Sequence, residues 1–158
     1  MKPMEIRNID ETDTEQVADL FAACFSAEPW NEPWTSAAAH SRIAPMIRSE
    51  TCRGAVAIHE HKIVGMAFGQ VEGWINGNLF LLQEMCVMPN SQRTGLGKML
   101  LDFLIEEVAD RDNIIAIYLL TNRDVPAASF YSKHHFAASP KKIVMGASVR
   151  SILNAKSA

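Results

Sequence analysis

The sequence predicts a mixed α/β fold, in which a twisted, mostly antiparallel sheet is flanked by helices. Three segments carry apolar residues at helical spacing, whereas several short runs have the continuous apolar character of buried strands. Polar or glycine- and proline-containing turns separate these segments, which gives the order β-α-α-β-β-β-α-β-α-β-β. No repeat or composition change divides the 158 residues, so we expect one domain over residues 1–158.

The first strand and helix are predicted within the first 26 residues. Glu5 to Ile9 has the pattern of a short strand. Thr12 and Glu15 then have the spacing of a capping box, and apolar residues at helical spacing follow as far as about Ser26. The segment 28–34 contains two prolines, which predicts irregular structure.

A second helix and two strands are predicted next. Thr35 or Ser36 is placed to cap a helix that runs toward Ile47, and Pro45 should kink or shorten it. Two apolar runs joined by a tight polar turn then predict a pair of strands at Gly54–His59 and Lys62–Val71.

The longest apolar run, Leu79 to Met88, predicts a central strand that is buried on both faces. The turn signal Asn76-Gly77 introduces it, and Gln83 and Glu84 are its only polar interruptions. After a loop, an apolar stripe marks one face of a third helix, composed of Leu96, Leu100, Phe103, Leu104 and Val108.

The last third of the chain predicts three more strands and a short helix. Ile114 to Leu120 has the apolar character of a buried strand. Asp124 to Lys133 predicts a helix with Pro126 in its first turn, where the missing N–H matters little. Phe136–Ala138 and Ile143–Val149 are the candidates for closing strands.

Composition and charge exclude several function classes. Hydrophobic residues make up 48% and charged residues 21%, which argues against disorder, and a net charge of −3 gives no reason to expect nucleic-acid binding. Cys24, Cys52 and Cys86 are odd in number and widely spaced, so neither a disulfide framework nor a zinc site is indicated. The N-terminus has no apolar signal core and no stretch approaches ~18 apolar residues, so we expect a cytoplasmic protein without a membrane contact.

The loop after the central strand has the character of a phosphate site. A polar turn leads into a helix that begins at two glycines, and helix N-termini attract phosphate through unpaired N–H groups and a partial positive charge. Arg93 and Lys98 add positive charge. A dinucleotide fingerprint would need glycine in place of Leu100, and a P-loop would need other residues than Gln92 and Met99. A plain strand–loop–helix junction remains the alternative.

The spacing Gln92-x-x-Gly95-x-Gly97 resembles the acyl-CoA loop of the GNAT superfamily of N-acetyltransferases. The preceding Val87-Met88-Pro89 is similar to that family's typical strand ending. The later set Asn122, Phe130-Tyr131 and Phe136 resembles its second signature, and Pro29 to Trp34 is similar to one branch of the superfamily. One departure is His135, which stands where family members commonly have glycine.

The resemblance implies a GNAT-like fold and an enzyme that moves an acetyl group from acetyl-CoA to a primary amine of a small molecule or peptide, directly in a ternary complex. In this interpretation Tyr131 protonates the leaving thiolate, and Asn122 contacts the cofactor arm or the reacting centre. Acetyl-CoA is the acyl donor and no metal is required. The implied cofactor contacts, besides Asn122 and Tyr131, are Met85, Cys86, Val87, Met88, Gln92, Arg93, Thr94, Gly95, Leu96, Gly97 and Lys98.

Glu84 is the candidate general base, because a carboxylate inside an apolar strand is costly unless it is paired or functional. The alternative is that it only orders water or binds the acceptor. Trp30 and Trp34, with Glu84, are candidates for an acceptor pocket, and Trp74 is considered with them; equally, the tryptophans can simply close the core.

Other function classes stay open at this point. The protein could bind acyl-CoA without turnover, as a sensor or partner subunit, or it could be an unrelated α/β protein whose loop binds another phosphate. The histidines, including His59 and His61 beside Glu60, are expected to be surface residues rather than metal ligands. A homodimer is also left open.

Overall fold

A five-stranded sheet in the order β1-β2-β3-β4-β5 organises the first of two units in the computed structural model, which describes residues 3–157. This unit extends to Asn122, and the second begins at Arg123. The first three strand pairings are antiparallel and β4 pairs with β5 in parallel, so the predicted mixed, mostly antiparallel sheet is confirmed. The strands are β1 (Glu5–Asn8), β2 (Cys52–His59), β3 (Lys62–Trp74), β4 (Gly77–Val87) and β5 (Ile114–Leu119).

Helices cover both faces of this sheet. They are α1 (Thr14–Ser26), α2 (Ser36–Arg48) and α3 (Leu96–Asp112). Neighbouring residues of β2 point to opposite faces, as strand geometry requires. On one face Val56 packs in a cluster with residues of α1 and α2, and on the other Ala55 and Ala57 pack with Leu96 and Leu100 of α3.

The ends of the first two helices differ from the prediction. The capping box is formed by Asp10 and Asp13, not by Thr12 and Glu15: the Asp10 carboxylate accepts the Thr12 N–H, and the Asp13 carboxylate accepts the Asp10 N–H at 2.9 Å. It introduces a 3₁₀ turn before α1. The α2 N-cap is as predicted, because the Thr35 hydroxyl accepts the Ala38 N–H.

Pro45 does not shorten α2, which continues to Arg48. Proline removes one backbone donor from a helix. The contacts that the Ile43 and Ile47 side chains make in the core hold the last turn in place.

The paired part of β4 and β5 is shorter than β4 itself. Pairing extends from Asn78–Ile114 to Leu82–Leu119, whereas β4 continues to Val87. At the same level the β3–β4 register shifts, which leaves Gln83 as an extra residue in a bulge. The two strands therefore diverge, and the last part of β4 keeps one open edge.

Two expectations of burial are wrong. β4 alternates between buried and half-buried side chains rather than being buried on both faces. β5 is the edge strand of the sheet and exposes Ile115 and Tyr118, and Leu120 directly after it is exposed as well.

The second unit contains two short helices, α4 (Pro126–Lys133) and α5 (Val149–Lys156). α4 begins two residues later than predicted, at Pro126. The closing strands predicted at Phe136–Ala138 and Ile143–Val149 are wrong: in the described part of this unit neither segment is a strand, and Val149 begins α5. The Ser148 hydroxyl accepts the Ser151 N–H at 3.0 Å and so caps α5.

Among the helices of residues 3–157, none combines the length and the apolar character that crossing a membrane would take.

Candidate active site

The open edge of β4 presents backbone groups beyond the last residue paired with β5. The Met88 N–H donates to the Val64 carbonyl at 2.8 Å, so Met88 faces β3. Residues alternate along an antiparallel ladder, which directs Cys86 toward β3 as well and turns Met85 and Val87 to the open edge. Of the four implied cofactor contacts from Met85 to Met88, Met85 and Val87 therefore direct backbone groups to this edge, where an extended ligand could pair with them. The Val87 carbonyl already accepts a hydrogen bond from the Gln92 side chain.

The loop after β4 is fixed by its own side chains. The Gln92 side-chain amide donates to the Val87 carbonyl at 3.0 Å, and the Thr94 hydroxyl donates to the Ser91 carbonyl at 2.7 Å. Arg93 and Gly95 both have left-handed backbone conformations, with φ of 59° and 85°. Glycine adopts such angles freely, which explains the first glycine of the motif.

The N-terminus of α3 follows directly, and Gly95 is its N-cap without a side-chain capping bond. The first N–H groups of a helix have no partner within the helix, so those of Leu96, Gly97 and Lys98 are available to an anion. The side chain of Lys98 forms an ion pair with Asp102 one turn later. The loop thus offers backbone donors, a partial positive charge and the exposed Arg93 side chain.

Glu84 lies on β4 just beyond the end of the β4–β5 pairing and is only 8% exposed. Its Oε1 accepts two hydrogen bonds from Arg42 of α2, from Nε at 3.1 Å and from Nη2 at 2.6 Å. Burial raises the pKa of Glu84, the bonds and charge of Arg42 oppose this rise, and the nearby Glu32 carboxylate adds to it. Glu84 is thus a buried carboxylate with one oxygen engaged.

Arg42 is the site residue that the sequence prediction missed. Its guanidinium carbon lies 5.9 Å from the Phe21 ring centroid and 6.0 Å from that of Trp34, and its side chain is 45% exposed. A signal existed, because Arg42 lies three residues after the buried Ala39 and hence beside the apolar face of α2.

Two of the three tryptophans lie together. The Trp34 ring meets the Phe21 ring edge-on at 4.9 Å, and the Trp30 ring lies 5.5 Å from Phe25. The Trp34 indole N–H donates to the Glu32 carboxylate at 2.9 Å. Trp74 is the last residue of β3, next to the β3–β4 turn, and lies roughly 20 Å along the strand from Phe68, the residue paired with Glu84. It is therefore distant from Glu84 and does not belong to the same candidate pocket.

Gln83, the bulged residue next to Glu84, has a buried side-chain oxygen without a hydrogen-bond partner in the described part of the chain. Buried acceptors are normally paired. This oxygen is therefore available to a donor on a bound molecule.

The residues of the second signature are found in different units. Asn122 is exposed beyond the end of β5 in the first unit. Tyr131 is half-buried on α4, with its ring 5.3 Å from Phe130 and 5.6 Å from Phe136. His135 takes the left-handed conformation, with φ of 71°, that the usual glycine would adopt freely.

Residues 3–157 contain no group of three His, Cys, Asp or Glu side chains arranged to hold a metal ion. Whether the protein works without a metal stays a prediction.

Comparison with known proteins identifies the family. The sequence profile of the acetyltransferase (GNAT) domain matches residues 50–138, which include β2 to β5, the loop between β4 and α3, and α4. No curated protein matches the sequence.

Solved structures with the same fold include several acetyltransferases. A ribosomal-protein-alanine N-acetyltransferase from Brucella melitensis is 16% identical, with a TM-score of 0.71, over 91% of this chain and 99% of that one. An aminoglycoside acetyltransferase from an uncultured soil metagenomic sample is 20% identical, with a TM-score of 0.73, over 92% and 96%. An aminoglycoside N-acetyltransferase solved in complex with CoA is 13% identical, with a TM-score of 0.71, over 93% and 95%.

Proposed function

Since the chain belongs to the GNAT family of acetyltransferases, we propose that it transfers an acetyl group from acetyl-CoA to a primary amine of a small molecule or peptide. Donor and acceptor bind together and the transfer is direct. One observation carries the proposal: a strand with an open backbone edge leads straight into a helix N-terminus that no side chain caps.

This arrangement suits the two chemical parts of coenzyme A. The amide-containing pantetheine arm can add to the open edge of β4 like a short strand, through backbone groups of Met85 and Val87. The pyrophosphate then lies at the start of α3, where N–H groups from Arg93 to Lys98 and the helix dipole stabilise its charge. A neighbour of the same fold was solved with CoA.

Glu84 is the group that we assign to the acceptor amine. Its Oε2 accepts no hydrogen bond from the described residues, whereas Oε1 is held by Arg42. An ammonium bound at Oε2 would add a positive charge to a site that has two negative carboxylates, Glu84 and Glu32, and only one positive guanidinium. Because burial raises the pKa of Glu84, the carboxylate is also a better proton acceptor than an exposed one.

The chemical steps then balance. Glu84 takes a proton from the ammonium, and the free amine attacks the thioester carbonyl. The attacking nitrogen carries a positive charge in the tetrahedral intermediate and loses its second proton to solvent water. The intermediate collapses, the C–S bond breaks, and the thiolate leaves with a proton from the Tyr131 hydroxyl, which water then reprotonates. Asn122 is assigned to the cofactor arm or the reacting centre, as the family signature implies.

The acceptor is proposed to bind beside Trp34, whose ring lies near Arg42 and Glu32, and beside Trp30. An aromatic and acidic pocket favours an amine with an apolar or ring-shaped body. Structural neighbours are described as acting on aminoglycosides and on the alanine of a ribosomal protein, so both a polyamine-like sugar and a peptide N-terminus belong in the test. The cytoplasmic location stays a prediction.

The proposal is tested in two stages. Thermal shift with acetyl-CoA, ATP and NAD first asks whether acetyl-CoA alone stabilises the protein, as expected. Thiol release is then followed with aminoglycosides, polyamines, amino acids and peptides as acceptors. If ATP or NAD stabilised the protein and acetyl-CoA did not, acetyl-CoA would be excluded as the donor. If acetyl-CoA stabilised the protein but no acceptor led to thiol release, a non-catalytic acyl-CoA sensor would be favoured.

Three variants separate the roles of the charged pair. Glu84→Gln should remove the rising limb of kcat/KM with pH if Glu84 is the base, or raise only the amine KM if it merely binds the acceptor. Arg42→Lys keeps the positive charge but loses the forked geometry of the guanidinium. It should therefore change the same kinetic constants less than Arg42→Gln does. An acceptor of lower pKa distinguishes enzyme ionisation from that of the amine, and unchanged kinetics in Glu84→Gln would exclude both roles.

A further inference from the structure

The ion pair between Glu84 and Arg42 leaves hydrogen-bonding groups of both residues unused. Two donors of Arg42, Nε and Nη2, bond to a single oxygen of Glu84, Oε1. The other oxygen, Oε2, accepts no hydrogen bond from residues 3–157, although the side chain is buried. Buried polar atoms are normally paired. The carboxylate end of this ion pair therefore lacks a donor.

Arg42 has unused donors of its own. A guanidinium carries five N–H donors in one plane, and the two bonds to Glu84 use two of them, which leaves three. The remaining hydrogens of Nη1 and Nη2 form the end of the guanidinium, a fork that fits a carboxylate with two parallel hydrogen bonds. No acceptor among the described residues engages this fork, and the Arg42 side chain is 45% exposed.

An aromatic wall lies beside the fork. The guanidinium carbon is 5.9 Å from the Phe21 ring centroid and 6.0 Å from that of Trp34. Phe21 is buried, whereas Trp34 is only half-buried and keeps part of its surface uncovered. The Glu32 carboxylate accepts the Trp34 indole N–H and belongs to an exposed residue, so solvent weakens its field. All of these residues belong to the first unit.

On the basis of the acetyl transfer proposed above, we propose that the acceptor is an α-amino acid bound as its zwitterion. Its ammonium bonds to Glu84 Oε2, its carboxylate bonds to the free fork of Arg42, and its side chain lies against Trp34. Standard bond lengths place the ammonium nitrogen and the nearer carboxylate oxygen of an α-amino acid about 2.7 Å apart. Glu84 Oε1 and Arg42 Nη2 are 2.6 Å apart, so the opposite charges of ligand and ion pair face each other over similar lengths.

Other amines complement the ion pair less well. A polyamine or an aminoglycoside carries ammonium groups without a carboxylate, so it leaves the fork without an anion and brings a like charge beside the guanidinium. A peptide N-terminus has a neutral amide carbonyl in place of the α-carboxylate, which replaces two charge-assisted bonds by a weaker one. The number of charged pairs formed therefore favours the free amino acid.

The product of this transfer is an N-acetylamino acid. The α-nitrogen forms the new bond to the acetyl carbonyl carbon, the C–S bond breaks, and coenzyme A leaves as the free thiol. The α-ammonium gives up two protons in all: one is matched by the proton that the thiol gains, and the other goes to solvent. The α-carboxylate takes no part in these steps and only holds the acceptor in position.

Rates with matched acceptors test the proposal. Thiol release is measured with the standard L-amino acids, of which those with large apolar or aromatic side chains should be used best. The best one is then compared with its amide and with the amine that lacks the carboxyl group. The free amino acid should have the highest kcat/KM, by about 10–100-fold. Since the three amines differ in pKa, the pH-independent limits of kcat/KM are compared.

Variants of α2 separate carboxylate binding from support of Glu84. Arg42→Gln should lower the ratio of kcat/KM for the amino acid to that for its amide by at least about tenfold, and Arg42→Lys should lower it less. A residue that only orients Glu84 would lower both values together and leave their ratio unchanged. Arg48→Gln is the matched control on the same helix. Arg48 pairs with Glu11 at an exposed site, so this variant should have the wild-type ratio and rates.

Two results would overturn the proposal. One is an amide, a carboxyl-free amine or an aminoglycoside that is acetylated as well as the best amino acid. The other is a ratio that both folded Arg42 variants leave unchanged. In either case thiol is still released, so the acetyl transfer itself would stand, whereas no release with any acceptor would overturn the transfer as well. If Arg42→Gln is too slow for kinetics, calorimetric affinities of the amino acid and its amide for the CoA-bound protein give the same ratio. Circular dichroism and the acetyl-CoA thermal shift check that the variants are folded.

Discussion

Gly95→Asp is the substitution that most directly tests the phosphate loop. Gly95 has a φ of 85°, and a Cβ added there would meet no atom within 4 Å. The variant therefore has no steric clash and bears only the strain of a left-handed residue, about 1–2 kcal/mol and less for Asp or Asn. The fold should survive, and the new carboxylate should lie beside the N–H groups proposed for the pyrophosphate.

The expected loss of affinity follows from Coulomb's law. A carboxylate about 5 Å from one phosphate charge costs roughly 3 kcal/mol at an effective dielectric constant of about 20. Screening and solvent reduce this value, so the acetyl-CoA dissociation constant should rise by at least about tenfold and up to about a hundredfold. Gly95→Asn has nearly the same shape and tolerates the same backbone angle without the charge, so it should lose much less.

Titration calorimetry of acetyl-CoA with wild type, Gly95→Asn and Gly95→Asp measures both contributions. The difference between the two variants should shrink at high salt, because it is electrostatic. Equal affinity of a folded Gly95→Asp protein and wild type would show that the pyrophosphate does not bind at the start of α3. Equal losses in Asn and Asp would mean that shape, not charge, is responsible.

Three further predictions concern catalysis and stability. Tyr131→Phe should lower kcat by roughly 10²–10⁴ with little change in acetyl-CoA affinity; a kcat within about threefold of wild type would leave Tyr131 as a packing residue. Burial raises the folded-state pKa of Glu84, so the free energy of unfolding should fall as pH rises through the pKa of the unfolded state and then that of the folded state. Denaturant titrations between about pH 4 and 8 should show this fall in wild type and not in Glu84→Gln. Gly69→Ala would place a Cβ 1.8 Å from the Leu81 carbonyl oxygen and should cost about 3 kcal/mol in the same titrations, whereas Gly73→Ala, with open space around it, should cost far less.

The structure of the loop between β4 and α3 could be predicted because its signal is local. The strand end, the turn and the helix start follow one another within twelve residues, and the Gly95 conformation depends on its immediate neighbours. The turn at Asn76-Gly77 was predictable for the same reason, since both residues adopt positive φ. Such features do not depend on residues that are distant in the sequence.

Features that depend on competing or distant partners were predicted less well. Asp10 and Thr12 both begin plausible capping boxes, and the ion pair between Arg7 and Asp13, at 2.8 Å, favours the earlier one. The segment 143–149 has strand-forming residues, but a strand also needs a neighbour to pair with. No strand forms there, and Ser148 caps the helix that begins at Val149.

The pairing of Arg42 with Glu84 joins residues 42 positions apart and could not be predicted from spacing alone. Its existence still bears on function. A well-packed apolar pair at such a position is often more stable than a buried ion pair, because removing two charges from water is costly. Arg42 is 45% exposed and so keeps much of its hydration, while Glu84 bears the greater cost of burial. Stability therefore does not explain a carboxylate here, which supports the proposed role of Glu84 in catalysis or acceptor binding.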